Sequence, residues 1–287
     1  MKIDLIAGTR PNLIKVAPLI EVLKLNRDID LRFIYTGQHY DEELYSNAMK
    51  SLGLSDPDID FKIQKGNFDI QISQIMTKYS DLTELHKVDA CIVVGDVDST
   101  LACSLIAARK NISLIHVEAG LRSFDKKMPE EINRIIVDSI SNLLFTPSVD
   151  ATENLVREGK SLRDIVSVGN IMIDTLKKLQ ETFTELKYCK TLKLSKKEYV
   201  VATFHRASNV DDRETLIQII ENLVELSCRI PVIVSTHPRL MQRLTEYSLL
   251  EKIEAPSLFF LRSLDYLQFM SLVNDSRFVI TDSGGVQ

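Results

Sequence analysis

Residues 89–120 read DACIVVGDVDSTLACSLIAARKNISLIHVEAG. Two apolar runs, 89–94 (DACIVV) and 113–117 (SLIHV), flank a helical pattern over 99–110. Neither run alternates polar and apolar residues, so each reads as a strand buried on both faces, as in a parallel sheet covered by helices. Each also ends in a small turn carrying acids: Gly95-Asp96-Val97-Asp98 after the first, Glu118-Ala119-Gly120 after the second. This strand–helix–strand punctuation predicts a doubly wound α/β domain. In open sheets of that kind ligands bind outside the carboxyl ends of the strands, so both turns are expected at a crevice.

The same alternation extends in both directions. Further strands are expected at 3–7, 31–36, 143–146 and 165–168, and then at 199–204, 232–236, 258–261 and 277–281. Helical patterns fill 12–25, 130–142, 212–227 and 264–274; in the third, Leu216, Ile219, Ile220, Leu223 and Leu226 share one face. Between the two sets lies 177–197, a lysine-rich stretch with little strand character, which reads as a helix and linker. The expected organisation is therefore a first Rossmann-like domain over 1–176, a connector over 177–197, and a second Rossmann-like domain over 198–287. The second is the smaller, and by symmetry with the first it is expected to lack roughly 80 residues.

Composition fits this picture. The 287 residues are 45% hydrophobic and 26% charged, and the mean hydropathy is near zero. Disordered, collagenous and disulfide-scaffold classes are excluded. A net charge of −5 gives no electrostatic support for binding nucleic acid or an anionic membrane, although a local basic pocket remains compatible with it. Cys91, Cys103, Cys189 and Cys228 form no CxxC pair and have no histidine at metal-ligand spacing. They read as small core residues of a reduced, cytoplasmic protein. The opening Met1-Lys2-Ile3-Asp4-Leu5 places an acid where a signal peptide needs an apolar run, and no stretch reaches the roughly 18 apolar residues of a membrane span.

Four motifs carry candidate chemistry. Gly8-Thr9-Arg10-Pro11 follows the first strand; Thr9 can cap the next helix, Pro11 fits its first turn, and Arg10 beside a helix N-terminus suits an anion. The alternative is a well-capped turn with a surface arginine. Its spacing is not GxGxxG, which disfavours a nicotinamide dinucleotide. The acids of the second motif, Asp96 and Glu118, are joined by a proline-started helix, Met128-Pro129-Glu130-Glu131-Ile132-Asn133-Arg134. Acids in a first helical turn are favoured by the dipole alone, so Glu130 and Glu131 gain weight only from the other acids at that sheet edge. The third is His205-Arg206 at a strand end, a phosphate contact or proton carrier. His237 reads as a turn residue, His86 as surface and His116 as a satisfied core histidine. The fourth is Asp282-Ser283-Gly284-Gly285, where two glycines let backbone approach a pyrophosphate.

The ordered set Gly8-Thr9-Arg10-Pro11, Gly37-Gln38-His39, Gly95-Asp96, His116-Val117-Glu118-Ala119-Gly120-Leu121-Arg122, Pro129-Glu130-Glu131-Ile132-Asn133-Arg134, His205-Arg206 and Thr281-Asp282-Ser283-Gly284-Gly285 resembles the UDP-N-acetylglucosamine 2-epimerases of the non-hydrolysing type. The resemblance spans the chain. It implies a GT-B-like fold of two Rossmann-like domains with a UDP-sugar in the cleft, inversion at C2 to give UDP-N-acetylmannosamine, no NAD or metal cofactor, and a homodimer. It assigns Asp96, Glu118 and Glu130 to acid–base and charge-stabilising roles, Arg134 to orienting them, and His205 to the diphosphate. It gives UDP binding to Arg10, Lys15, Ser283, Gly284 and Gly285, and a possible regulatory nucleotide-sugar site to Gln38 and His39. Three departures stand out: Asn12 where the family often has Glu, Gly66-Asn67-Phe68-Asp69 where a Gly-Gln element is usual, and an end at Gln287 before the family's ribose-binding Glu and a later Arg.

Several functions remain beside the first. The same chemistry on a UDP-2,3-diacetamido-2,3-dideoxy uronic acid fits the MPEEINR pattern, and an impaired UDP-binding fragment fits the ending. A hydrolysing relative is disfavoured by Ala119, where that branch tends to have Gly. A GT-B glycosyltransferase needs no three acids around the sugar.

Overall fold

All ten expected strands form, every one in a parallel sheet, and the inner runs such as 90–94 are buried on both faces. A computed structural model describes residues 1–37, 42–64, 66–250, 255–262 and 264–286. The chain divides into two units, Met1–Lys178 and Leu179–Gln287. The division falls inside helix α7 (Met172–Leu186).

In the first unit the strands are β1 (Lys2–Ala7), β2 (Asp30–Tyr35), β3 (Ile59–Asp60), β4 (Ala90–Val94), β5 (Ser113–Val117), β6 (Leu143–Thr146) and β7 (Ile165–Ser167). Their order is β3-β2-β1-β4-β5-β6-β7, and every pairing is parallel. Edge strand β3 was not expected, since two residues carry no periodicity. Between the strands run α1 (Arg10–Leu25), α2 (Glu42–Ser51), α3 (Phe68–Leu85), α4 (Asp98–Arg109), α5 (Pro129–Ile140) and α6 (Val149–Arg157). Helix α4 packs against both α3 and α5. Its Leu101, Cys103 and Ala107 join Ile75, Tyr79, Val137, Ile6, Ile34, Val93 and Leu114 in one core. Strand order reverses between β1 and β4, so the crevice of this sheet opens where Gly8-Thr9 and Gly95-Asp96 leave those strands.

The second unit holds β8 (Val200–Thr203), β9 (Val232–Thr236), β10 (Leu258–Arg262) and β11 (Val279–Thr281) in the parallel order β10-β9-β8-β11. Its helices are α8 (Ala207–Val210), α9 (Arg213–Ser227), α10 (Pro238–Glu246) and α11 (Tyr266–Asp275). Alternate strand residues serve opposite faces. Val200, Ala202, Val232 and Val234 meet Leu216, Ile220 and Leu223 of α9 and Leu240 and Leu244 of α10. Tyr199, Val201 and Ile233 meet Leu272 of α11 and Cys189. Here the order reverses between β8 and β11, the strands that lead into His205 and Asp282.

The cysteines are all free thiols; Cys91, Cys103 and Cys189 are buried, whereas Cys228 is exposed. Burial pushes the Cys91 thiol up to about 12. No helix among the described residues is long and apolar enough to cross a membrane.

Candidate active site

The turn after β1 is fastened by the residue that departs from the family pattern. Asn12 Oδ1 accepts from the amides of Gly8 and Thr9 and from the Thr9 hydroxyl, each at 3.2 Å. Its reach back to the Thr9 amide, at the helix N-cap, is one half of a capping box. Its Nδ2 donates to the carbonyl of Val94 at 3.2 Å. One buried amide thus ties the β1 turn to the end of β4, which a carboxylate with no proton could not do. Arg10 opens α1 beside this turn.

Gly95 follows at φ +69°, and a Cβ there would stand 3.1 Å from Lys15 Nζ and 3.6 Å from Asn12 Nδ2. The left-handed backbone and the close approach both require glycine. Lys15, one turn into α1, forms an ion pair with Glu118, and both side chains are mostly buried. Glu118 itself adopts φ +71°, a conformation a non-glycine residue holds only when its surroundings over-determine it. They do so here. The Glu118 and Ala119 amides both donate to the Phe145 carbonyl, at 3.1 and 3.0 Å. Gly120, at φ +81°, packs so tightly that a Cβ would lie 2.3 Å from the Ala151 carbonyl oxygen.

Helix α5 supplies the third acid. Its two adjacent glutamates have opposite fates. Glu131 is buried, and its carboxylate accepts from the amides of Ser123 and Phe124 at 2.8 and 3.0 Å, which ties down the loop before the helix. Burial raises its pKa, but those two amides and the Arg134 charge outweigh this and hold it below the ordinary value. Glu130 is exposed and lines a cavity of about 380 Å³ with Asp96, Asp98, Asn133, Thr9 and Gln71. Asp96 is ion-paired to Arg134. Asn133 Nδ2 donates to the Asp96 carbonyl at 2.9 Å and to Asp98 Oδ1 at 3.2 Å. Asp96 and Glu130 therefore share one cavity, with Arg134 paired to Asp96 and the Lys15–Glu118 pair beside Gly95, one residue before Asp96.

In the second unit the organiser is Asp282, which the sequence placed within a motif without giving it a role. Its carboxylate accepts from the His205 and Arg206 amides at 3.1 and 3.0 Å and from Asn209 Nδ2 at 2.9 Å, and stands 2.8 Å from His205 Nδ1. Burial raises its pKa, but the amide and side-chain donors outweigh this and hold it below the ordinary value. The imidazole is thereby oriented by an acid, with its other nitrogen free of that contact. Ser283 donates its amide to Thr281 Oγ1 at 3.0 Å, and Gly284 and Gly285 are exposed. His237 caps α10, accepting from the Arg239 amide. Gln38 and His39 lie outside the described residues. Among the described residues no three metal-ligating side chains converge.

Comparison with known proteins decides what this arrangement belongs to. The family model described as UDP-N-acetylglucosamine 2-epimerase matches residues 21–287. The chain belongs to the UDP-N-acetylglucosamine 2-epimerase family. A UDP-N-acetylglucosamine 2-epimerase homolog of Methanococcus maripaludis is 40% identical over 290 residues, covering 100% of this chain and 80% of the relative. The UDP-2,3-diacetamido-2,3-dideoxy-D-glucuronate 2-epimerase of Pseudomonas aeruginosa is 33% identical, over 100% of this chain and 79% of that one. Among solved structures, the epimerase of Methanocaldococcus jannaschii in complex with UDP-GlcNAc and UDP matches with a TM-score of 0.90 and 34% identity, covering 100% of this chain and 80% of that chain. The epimerase family fold is GT-B-like, with two Rossmann-like units, and its members are isomerases.

Proposed function

We propose that the chain interconverts UDP-N-acetylglucosamine and UDP-N-acetylmannosamine by elimination and re-addition of UDP, supplying a precursor for surface polysaccharide. The observation that carries the reading is the placement of Asp96 and Glu130 around one cavity at the switch point of the first sheet, with Arg134 paired to Asp96 and Glu118 on the adjoining strand end. Membership of the epimerase family supplies the reaction type.

The C2 proton of an N-acetylhexosamine is not next to a carbonyl, so direct abstraction is hard. Breaking the C1–O bond first lets UDP leave with the electron pair and gives C1 oxocarbenium character, which acidifies C2–H. A carboxylate takes that proton and leaves 2-acetamidoglucal. Protonation of C2 from the other face and return of UDP to C1 complete the inversion. This path needs carboxylates that accept and return a proton and negative charge near the developing cation, and Asp96, Glu118 and Glu130 are assigned those tasks. Arg134 orients Asp96. His205, held by Asp282, meets the departing diphosphate, with Arg10, Lys15, Ser283, Gly284 and Gly285 as further UDP contacts. Residues 1–176 then carry the sugar chemistry and 198–287 the nucleotide. Scattered free thiols support a cytoplasmic setting, and we read the enzyme as a homodimer that needs no NAD or metal.

The 33% identity to the diacetamido-glucuronate enzyme favours a second reading, the same reaction on that sugar. Turnover in heavy water tests both. The first reading expects UDP-N-acetylglucosamine to yield its 2-epimer with deuterium at C2. Retention of the original hydrogen would overturn the elimination route, and turnover of the diacetamido substrate alone would transfer the assignment to the second.

A further inference from the structure

The core of the first unit contains a charged network that the proposed chemistry does not use. His116 lies in the middle of β5, paired with Val93 of β4, and is fully buried. Its Nε2 donates to the Gly95 carbonyl at 2.8 Å, because a carbonyl can only accept. Its Nδ1 stands 2.6 Å from Asp138 Oδ1. Asp138, on α5 and 1% exposed, accepts at Oδ2 from the Gly120 amide at 3.0 Å and pairs with Arg122 Nη1 at 2.7 Å. Arg122 in turn holds Glu158 at the surface through Nε and Nη2, at 2.7 and 2.5 Å.

The bonds from this network end on two particular peptides. Gly95 immediately precedes Asp96, and Gly120 follows Glu118 by two residues. Both glycines and Glu118 itself have left-handed backbones. A plain core brace would join helix to strand anywhere along their length. This one joins the two turns that present the acids, at their least ordinary backbone positions.

We propose that the His116–Asp138 pair is a positioning device that fixes the Asp96 turn and the Glu118 turn relative to one another. Neither residue touches the cavity; both act through backbone. The inference rests on the epimerase reading, because only a reaction that shares one sugar carbon among several carboxylates makes their mutual spacing matter. Misplacement by about 1 Å costs on the order of 10²-fold in rate.

The test uses His116→Gln, whose amide can still reach the Gly95 carbonyl, and Asp138→Asn, which keeps the shape of the acid. Each is assayed well below its own melting temperature for kcat, KM and the amount of 2-acetamidoglucal released per epimerisation. The expected result is a fall in kcat of roughly 10-fold or more with KM within about threefold, and a severalfold rise in released glycal. His116→Ala should lose more than His116→Gln. Native-like kcat in the folded variants, or a loss that follows melting temperature alone, would overturn the proposal. Should neither buried variant fold, Glu158→Gln at the surface end decides: a severalfold fall in kcat at constant KM supports it and an unchanged kcat overturns it. An inactive native enzyme would count against the epimerase reading, whereas an active one with indifferent variants counts against the positioning device.

Discussion

Lys15 of α1 and Glu118 of the β5 turn form an ion pair beside Gly95, at a point where any Cβ would press on the lysine ammonium. The pair joins a helix and a strand end that lie more than a hundred residues apart. A cation so placed balances Glu118, and on the proposed reading its remaining N–H donors serve a diphosphate oxygen. Replacing Lys15 with Met should weaken UDP binding and leave a carboxylate without its partner. Glu118→Gln should instead keep UDP affinity within a few-fold while kcat falls by roughly 10² or more. Calorimetric titration of UDP beside steady-state rates separates the two effects. Loss of UDP binding in Glu118→Gln, at an unchanged rate per bound complex, would reverse the assignment.

Asp96→Asn removes an ionisable group and one of the two acids paired with Arg134, leaving Glu131 at 3.5 Å. Turnover should fall by roughly 10² or more with UDP affinity again little changed. Arg10→Ala is expected to act the other way, weakening UDP by roughly 1.5–3 kcal/mol with a smaller effect on the rate of bound complex. Rates at saturating and limiting substrate distinguish them.

Gly120→Ala should be among the most damaging small substitutions in the first unit. The new Cβ meets a backbone oxygen at 2.3 Å, and φ is +81°. A loss of about 3 kcal/mol or more is expected. Gly95→Ala crowds only the flexible end of Lys15, at 3.1 Å, and lies at ordinary contact distance from Asn12 Nδ2, so a smaller stability loss with a larger activity loss is expected. Urea midpoints for the two variants give the comparison.

Carboxyl groups with lowered pKa set the response to acid. In Asp138, burial raises the pKa, but bonds to His116 and Arg122 outweigh this and leave it below the ordinary value, and Glu131 and Asp282 end on the same side. A depressed folded pKa contributes stability above the unfolded values, about 3.9 for Asp and 4.3 for Glu. That contribution is lost as pH falls from there through the folded values. Asp138→Asn should therefore be less stable than the native chain at pH 7, and the gap should narrow below about pH 4. Urea midpoints measured between those pH values check the sign; a gap that widens in acid contradicts it.

One thiol should react quickly with an aromatic disulfide reagent and three only on unfolding, because Cys228 is exposed and the other three cysteines are buried. Two or more fast thiols in the folded protein would contradict the burial of Cys91, Cys103 and Cys189.

The strands were legible because burial on both faces leaves runs such as Cys91-Ile92-Val93-Val94 without a polar break. The acids at their ends were legible because the carboxyl edge of a parallel sheet is where open α/β folds bind ligands. Asp282 obeys the same rule as Asp96, but Gly284 and Gly285 beside it offer a pyrophosphate reading of the motif that needs no role for the acid. What the pattern did not give was pairing. Nothing local ties Lys15 to Glu118 or His116 to Asp138, since each bond spans separate elements. Asp138 did carry one signal: it lies seven residues after Glu131 and next to Val137, on the buried face of α5, and an acid on such a face needs a partner. The unequal fates of Glu130 and Glu131 were hidden for the opposite reason, as both satisfy the same helix-dipole preference.

The pairing of β1 with β4 has a consequence for how the chain comes into being. Ile3 pairs with Ala90 and Leu5 with Ile92, so the central seam of the first sheet closes only after some ninety residues have been made. At a synthesis rate of about 5–20 residues per second, β1 emerges roughly 5–20 seconds before its second neighbour. During that interval its apolar inner face has β2 on one side and an open edge on the other. Ladders of such long sequence separation also form slowly in refolding from denaturant. The candidate crevice opens at that same seam, so it cannot take shape before β4 has been made, and the interval before closure is when a nascent chain most needs protection from aggregation.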